Sequence, residues 1–164
     1  MMPFPGDTNL LVGEEGGSVI FCHFCQSRAR AAALIELERT FFPDLKEVPV
    51  TTLTAYPLLA DYGNSIPCDP ARHPVKFSRG TPFLKEVWRT LREIGVGQVI
   101  SYKRLAERAG YTGAQQAVGQ AMARNYLLLF VPCHRVVASD GGWGGFSAGL
   151  DKKIMLLKIE KFRL

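Results

Sequence analysis

The chain is predicted to be of mixed α+β class, a small α/β part followed by a mainly helical one, on three observations. Residues 9–26 carry strand-forming residues interrupted by Gly13, Gly16 and Gly17, the look of extended runs broken by turns. Pro57, Pro67, Pro70 and Pro74 then follow in close succession, which marks loops and a linker. From Thr81 onward, apolar residues recur at helical spacing in separate runs. The division is placed near residues 74–80, giving an N-terminal α/β domain over 1–76 and a C-terminal domain over 77–164. A length of 164 residues suits two small domains or one medium one.

In the first part, Ser18 to Phe24 is the best strand and Ala29 to Phe41 reads as a helix closed by Pro43. In the second, Thr81-Pro82 is a capping hydroxyl followed by proline at the first helical position. Phe83, Leu84, Val87, Trp88, Leu91 and Ile94 then line one face, and Gly95 and Gly97 end the run. Ser101 to Ala109 is a second, short helix with Gly110 at its end, and Ala114 to Arg124 a third. Helix, glycine turn, helix is the helix-turn-helix pattern, though such pairs also occur in purely structural roles. The third helix is nearly bare, with Ala114, Ala117, Gly119, Ala121 and Ala123. A neighbouring helix or a nucleic-acid groove would account for that equally well. Leu127 to Val131 reads as a buried strand ended by Pro132, and Leu150 to about Phe162 as a final helix.

Hydrophobic residues make up 47% of the chain, which suits a folded protein and not a disordered one. No stretch approaches the roughly 18 apolar residues of a membrane span, and Met1 to Gly6 lacks the features of an export signal. No membrane partner is expected. Four cysteines are too few for a disulfide scaffold and read as reduced thiols in a cytoplasm or nucleus. The net charge of +5 is uneven: residues 1–80 hold 7 Lys/Arg against 9 Asp/Glu, residues 81–164 hold 13 against 6. The basic second half suits a polyanionic partner, and a solvated basic surface explains it no worse.

The chemistry concentrates at Pro132-Cys133-His134-Arg135. A thiol becomes a good nucleophile when a base takes its proton or a positive charge stabilises its thiolate; His134 supplies the base and Arg135 the charge. Adjacent side chains diverge on an extended segment, so a water bridging Cys133 and His134 is expected over direct contact. Glu160 shares a helix face with Leu156 and Leu157. A carboxylate pointing inward needs a partner, and His134 would complete an orienter–base–nucleophile relay. A structural cysteine beside a hydrogen-bonded histidine, with Glu160 in water, is the plainer alternative.

Val131-Pro-Cys-His-Arg-Val-Val137, with Gly97-x-Val-Ile-Ser-Tyr102, Ala117-Val-Gly119, Asn125 and Ser147-Ala-Gly-Leu150 in matching order, resembles the O6-alkylguanine-DNA alkyltransferase family over Thr81 to Glu160. The first half shows a general likeness only, at His73-Pro-Val75 and Gly80-Thr-Pro-Phe83. The resemblance implies an RNase H-like N-terminal domain, a helix-turn-helix alkyltransferase domain, and single-turnover transfer of an alkyl group from guanine O6 in DNA to Cys133. It implies His134 as base through water, Glu160 as its orienter, Asn125 as brace of the adjoining turn, and Tyr102 as donor to the leaving guanine. Ala114, Gln116, Met122 and Arg124 would meet DNA or line the pocket, and Val136, Phe146 and Ser147 would read or stack on the base. The partner would be duplex DNA entered through the minor groove with the lesion flipped out, the protein acting as a monomer.

Four positions depart from the family's pattern. Gln116 stands where the family usually has arginine, Phe146 where it has tyrosine, and Tyr126 and Leu128 where it has prolines. Some members carry a structural zinc, and Cys22, Cys25, Cys68 and His73 are ligand types at workable spacing. The first two fall in an extended run with His23-Phe24 between them, so no metal and no cofactor is expected. The competing readings are a lesion-binding alkyltransferase-like protein without transfer, a regulator sensing alkylation through Cys133, and a Cys–His hydrolase. Cys133 opposes the first, the chain length the second, and the lack of an evident oxyanion site the third.

Overall fold

The computed structural model describes residues 2–5 and 8–162; Met1 and Gly6, which bound the segment read for an export signal, lie outside them. β2 (Thr8–Glu15) and β3 (Ser18–Cys25) form an antiparallel hairpin, and β1 (Met2–Phe4) pairs with the outer edge of β2. Val19 to Cys22 are all buried, so both faces of β3 are covered. α1 (Arg28–Arg39) is capped by Ser27, whose hydroxyl accepts from Arg30 N at 3.2 Å, and it buries Ala31, Leu34 and Glu38.

The proline-rich stretch is not all loop. α2 (Tyr56–Gly63) lies within it, burying Leu59 and Tyr62. Pro57 sits in its first turn, where the missing N–H would have had no helical partner in any case. Short 3₁₀ turns at Val50–Thr52 and Pro70–Arg72 flank it.

α3 (Pro82–Leu91) starts on Thr81, whose Oγ1 accepts from Leu84 N at 3.3 Å. It ends before Ile94, which is buried beyond the helix. β4 (Ile100–Ser101) runs into α4 (Tyr102–Arg108), which is capped by the Ser101 hydroxyl and closed at Gly110, φ 83°. α5 (Gln115–Ala123) follows, and Trp88 of α3 ties to it through Nε1 to the Ala121 carbonyl at 3.0 Å. β5 (Val136–Val137) pairs parallel with β4, and α6 (Leu150–Ile159) closes the described chain.

Residues 127–131 do not form the buried strand expected of them. Leu127 bridges to Cys22, Leu128 bridges to Val131, and Leu129 turns the chain at φ 72°. The run is apolar because all five residues are buried, and full burial looks the same in sequence for a turn as for a strand.

Both chain halves grip β3. Val19 N donates to Pro74 O at 3.0 Å, Cys22 N to Tyr126 O at 2.8 Å, and Leu128 N to Cys22 O at 3.0 Å. The buried apolar residues accordingly form one continuous cluster from Met2 to Leu156. Among the described residues no helix is long and apolar enough to cross a membrane.

Gly80, between the last strand-like contacts and the cap of α3, holds φ +107°, and a Cβ there would lie 2.9 Å from the Trp88 ring. Gly80→Ala therefore meets backbone strain and a clash with a buried indole. It is expected to lower stability by about 2 kcal/mol, measured as a reduced midpoint in urea denaturation with an unaltered m-value.

Candidate active site

Asn125 builds the turn that presents Cys133. Its Oδ1 accepts from Leu127 N at 2.9 Å, and its Nδ2 donates to Val131 O at 2.8 Å, closing the two ends of the 127–131 turn on one side chain. The same Nδ2 lies 3.1 Å from Cys133 Sγ. Pro132 stops further pairing, and Cys133, His134 and Arg135 form a single 3₁₀ turn leading into β5. The thiol is 3% exposed.

Behind it lies Glu160, at the C-terminal cap of α6. Its Oε1 takes His134 Nε2 at 2.8 Å, Arg135 Nη2 at 2.8 Å and the Tyr62 hydroxyl at 2.6 Å. Its Oε2 accepts Arg135 Nε at 3.0 Å and Gly97 N at 3.3 Å. Gly97 has φ +73°, and a Cβ on it would sit 3.1 Å from the Glu160 carbonyl oxygen; the close approach of this loop needs glycine. Arg135 is itself buried, with Nη1 on Ile94 O at 2.5 Å and Nη2 on Asp69 Oδ1 at 2.9 Å. Among the described residues no hydrogen bond joins the Cys133 thiol to the His134 imidazole, and His134 Nδ1 has no protein partner.

Burial pushes the Cys133 thiol up to about 11, against the opposing pull of the Asn125 hydrogen bond and the Lys153 charge. Burial also lowers His134, with Glu160 partly offsetting it, so the imidazole is neutral at pH 7 and able to accept a proton. For Glu160, burial alone would raise the carboxyl. The hydrogen bonds and charges of His134 and Arg135 outweigh it and hold the group well below the usual carboxylate range.

Tyr102 opens α4 and its hydroxyl donates to Gly145 O at 3.4 Å, in the glycine-rich loop before α6. Burial, then the Cys133 charge, raises its pKa. Val136 and Met122 are buried; Gln116, Arg124 and Ser147 are exposed; Ala114 and Phe146 are half-buried. Gln116 stands in the first turn of α5 and Arg124 at its cap. Three residues escaped the sequence reading. Tyr62 comes from a stretch read as loop, and Asp69 from the same stretch. Lys153 has its ammonium fully buried on the carbonyls of Val136 and Trp143, and burial pulls it down to about 8. Two consecutive lysines at 152 and 153 look like solvated charge, and only the helix phase shared with Leu156 and Leu157 hints otherwise.

The geometry defines a class first: an α+β protein with a buried cysteine–asparagine pair backed by a histidine–glutamate pair, beside two short packed helices. Residues 82–162 match the family model "6-O-methylguanine DNA methyltransferase, DNA binding domain". A methylated-DNA–protein-cysteine methyltransferase of Shigella flexneri is 47% identical over 85 residues, 52% of this chain and 50% of the relative. Among solved structures, the O6-methylguanine-DNA methyltransferase of Pyrococcus kodakaraensis superimposes at a TM-score of 0.69, with 29% identity over 92% of this chain and 97% of that one. The Mycobacterium tuberculosis OGT in complex with DNA does so at 0.62, with 26% identity over 93% and 86%. The chain belongs to the O6-methylguanine DNA methyltransferase family through its residues 82–162. It spans about half the length of the curated relatives it matches.

Because the folded pKa of Glu160 is depressed, its stabilisation is fully present above the unfolded value of about 4.3 and fades as pH falls toward the folded one. Glu160→Ala leaves Arg135 buried without its main counter-charge and is expected to cost about 3–5 kcal/mol at pH 7. Urea titrations of parent and variant should show this gap narrowing below about pH 4.

Proposed function

We propose that this chain repairs O6-alkylguanine in duplex DNA by moving the alkyl group to Cys133, once per molecule. The observation that carries the proposal is a buried thiol held by Asn125 at 3.1 Å, one residue from a His134–Glu160 pair at 2.8 Å, in a chain whose second half belongs to this family. A thiol with so high a pKa needs a base, and neutral His134 is the group at hand. Its unpartnered Nδ1 supports a water relay from Cys133. The thiolate attacks the alkyl carbon, an S–C bond forms and the C–O6 bond breaks. Guanine departs and takes up a proton from Tyr102, and the thiol proton, passed to His134 and on through solvent, restores the tyrosine hydroxyl.

The family's DNA partner comes to this chain as part of the same proposal. α4 and α5 act as a helix-turn-helix within a C-terminal domain over 77–164. The bare outer face of α5 enters the minor groove, and Ala114, Gln116 and Arg124 lie along it. Residues 1–76 form the N-terminal domain, for which β1–β3 followed by α1 support an RNase H-like reading. Met122 and Val136 wall the pocket, Phe146 stacks on the base and Ser147 reads its edge. A target base stacked in the duplex cannot reach a thiol that is 3% exposed, so it must be flipped. The protein acts as a monomer.

Incubation with O6-methylguanine duplex DNA should raise the intact mass by one methylene, localised to Cys133, with product capped at one per protein. Cys133→Ser should abolish the transfer and keep DNA binding. Binding by the parent without any mass gain would make it a lesion-binding protein, and steady multiple turnover would also overturn the proposal.

Gln116→Arg adds a cation where the flipped nucleotide leaves a gap. It should tighten duplex binding, steepen the salt slope by about one and speed duplex repair, with little effect on reaction with free O6-benzylguanine. Equal effects on the two rates would assign residue 116 to the pocket and not to extrusion.

A further inference from the structure

Tyr62 has no part in the mechanism above, yet its hydroxyl makes the shortest contact to Glu160, 2.6 Å to Oε1. It also lies 3.5 Å from His134 Nε2. Oε1 is the same oxygen that His134 and Arg135 Nη2 hold at 2.8 Å each. Tyr62 is 2% exposed, and its ring stacks on Phe4 with centroids 6.3 Å apart, so the hydroxyl is held against the relay.

A carboxylate oxygen has about two good acceptor directions, and here donors from three residues converge on one oxygen. Every donor draws electron density from Oε1 and reduces what it offers to the imidazolium that forms when His134 takes a proton. We propose that Tyr62 is a positioning residue, supplied by the first half of the chain, whose hydroxyl sets how strongly Glu160 supports His134 as the base for Cys133. The proposal rests on the functional reading above for the identity of the alkyl donor and for His134 as the base of Cys133.

The surrounding ionisable groups fix the direction of the effect. Arg135 flanks His134 on the same turn, Asp69 holds the far side of Arg135 at 2.9 Å, and Lys153 faces the turn from α6. Arg135 binds both Glu160 oxygens and keeps the carboxylate ionised whether or not the tyrosine hydroxyl is there. Removing the hydroxyl then strengthens the bond from Glu160 to His134, makes His134 more basic, and lets Cys133 give up its proton at lower pH.

Tyr62→Phe deletes the hydroxyl and keeps the stacked ring. The readouts are the rate of Cys133 modification by iodoacetamide, followed by peptide mass from pH 5 to 10, and the rate of alkyl transfer from O6-benzylguanine over the same range. The rising limb of both profiles should move to lower pH by roughly half a unit, or about threefold faster reaction at its foot. The shift should vanish when Tyr62→Phe is made in a Glu160→Gln background. A uniform rate loss at every pH, or an equal shift in the Glu160→Gln background, overturns the proposal. Iodoacetamide probes the thiol alone. A parent that reacts with it but never with O6-benzylguanine or O6-methylguanine DNA refutes the proposed function, and the iodoacetamide profiles still decide the part of Tyr62.

Discussion

A carboxylate taken out of water has to recover its lost solvation from protein donors, and Glu160 recovers it from every side. Tyr62 reaches it from α2, Gly97 from the loop after α3, and His134 and Arg135 from the turn beneath, while the carboxylate itself rides at the end of α6. None of these segments can shift without stranding a charge, so their mutual placement is specified to within hydrogen-bonding tolerance. Cys133 is within two residues of two of the donors and inherits that precision. Such a cluster adds less to net stability than its contact list suggests, because desolvation offsets most of the attraction; what it contributes is a single allowed arrangement.

The site separates two tasks that would conflict if combined. Cys133, His134 and Glu160 are buried, whereas Gln116, Arg124 and Ser147 are exposed. On the proposed reading, recognition is done in water by groups that can adjust, and bond exchange is done in a dry interior by groups that cannot. Asn125 is the hinge between the two regions. It follows directly on α5 and its cap, and its amide spans the turn to Cys133.

Much of this could be read from the chain. The helix starts at Thr81-Pro82 and Ser101, the strand over residues 18–24 and the inward face shared by Leu156, Leu157 and Glu160 follow from caps and periodicity, which are local properties. What could not be read was non-local. Prolines at 57, 67, 70 and 74 were legible as punctuation, but whether Pro57 breaks a helix or begins one depends on what Leu59 and Tyr62 pack against. Likewise the 127–131 turn is set by the side chain of Asn125 and by the contacts of Tyr126 and Leu128 with Cys22, a hundred residues away in sequence. Tyr62, Asp69 and Lys153 join the site by the same kind of long-range contact, and no spacing rule finds them.

On the proposed reading, the burial of Cys133 bears on the protein before it ever meets a lesion. At neutral pH a thiol lifted to about 11 is almost wholly protonated, and at 3% exposure it offers little to peroxides, disulfides or stray electrophiles, all of which react with the thiolate. A residue that, on that reading, is consumed in a single event gains nothing from being reactive toward everything in solution. Its shelter therefore works as storage: the reagent keeps until a base delivered into the pocket, and hardly anything else, can discharge it.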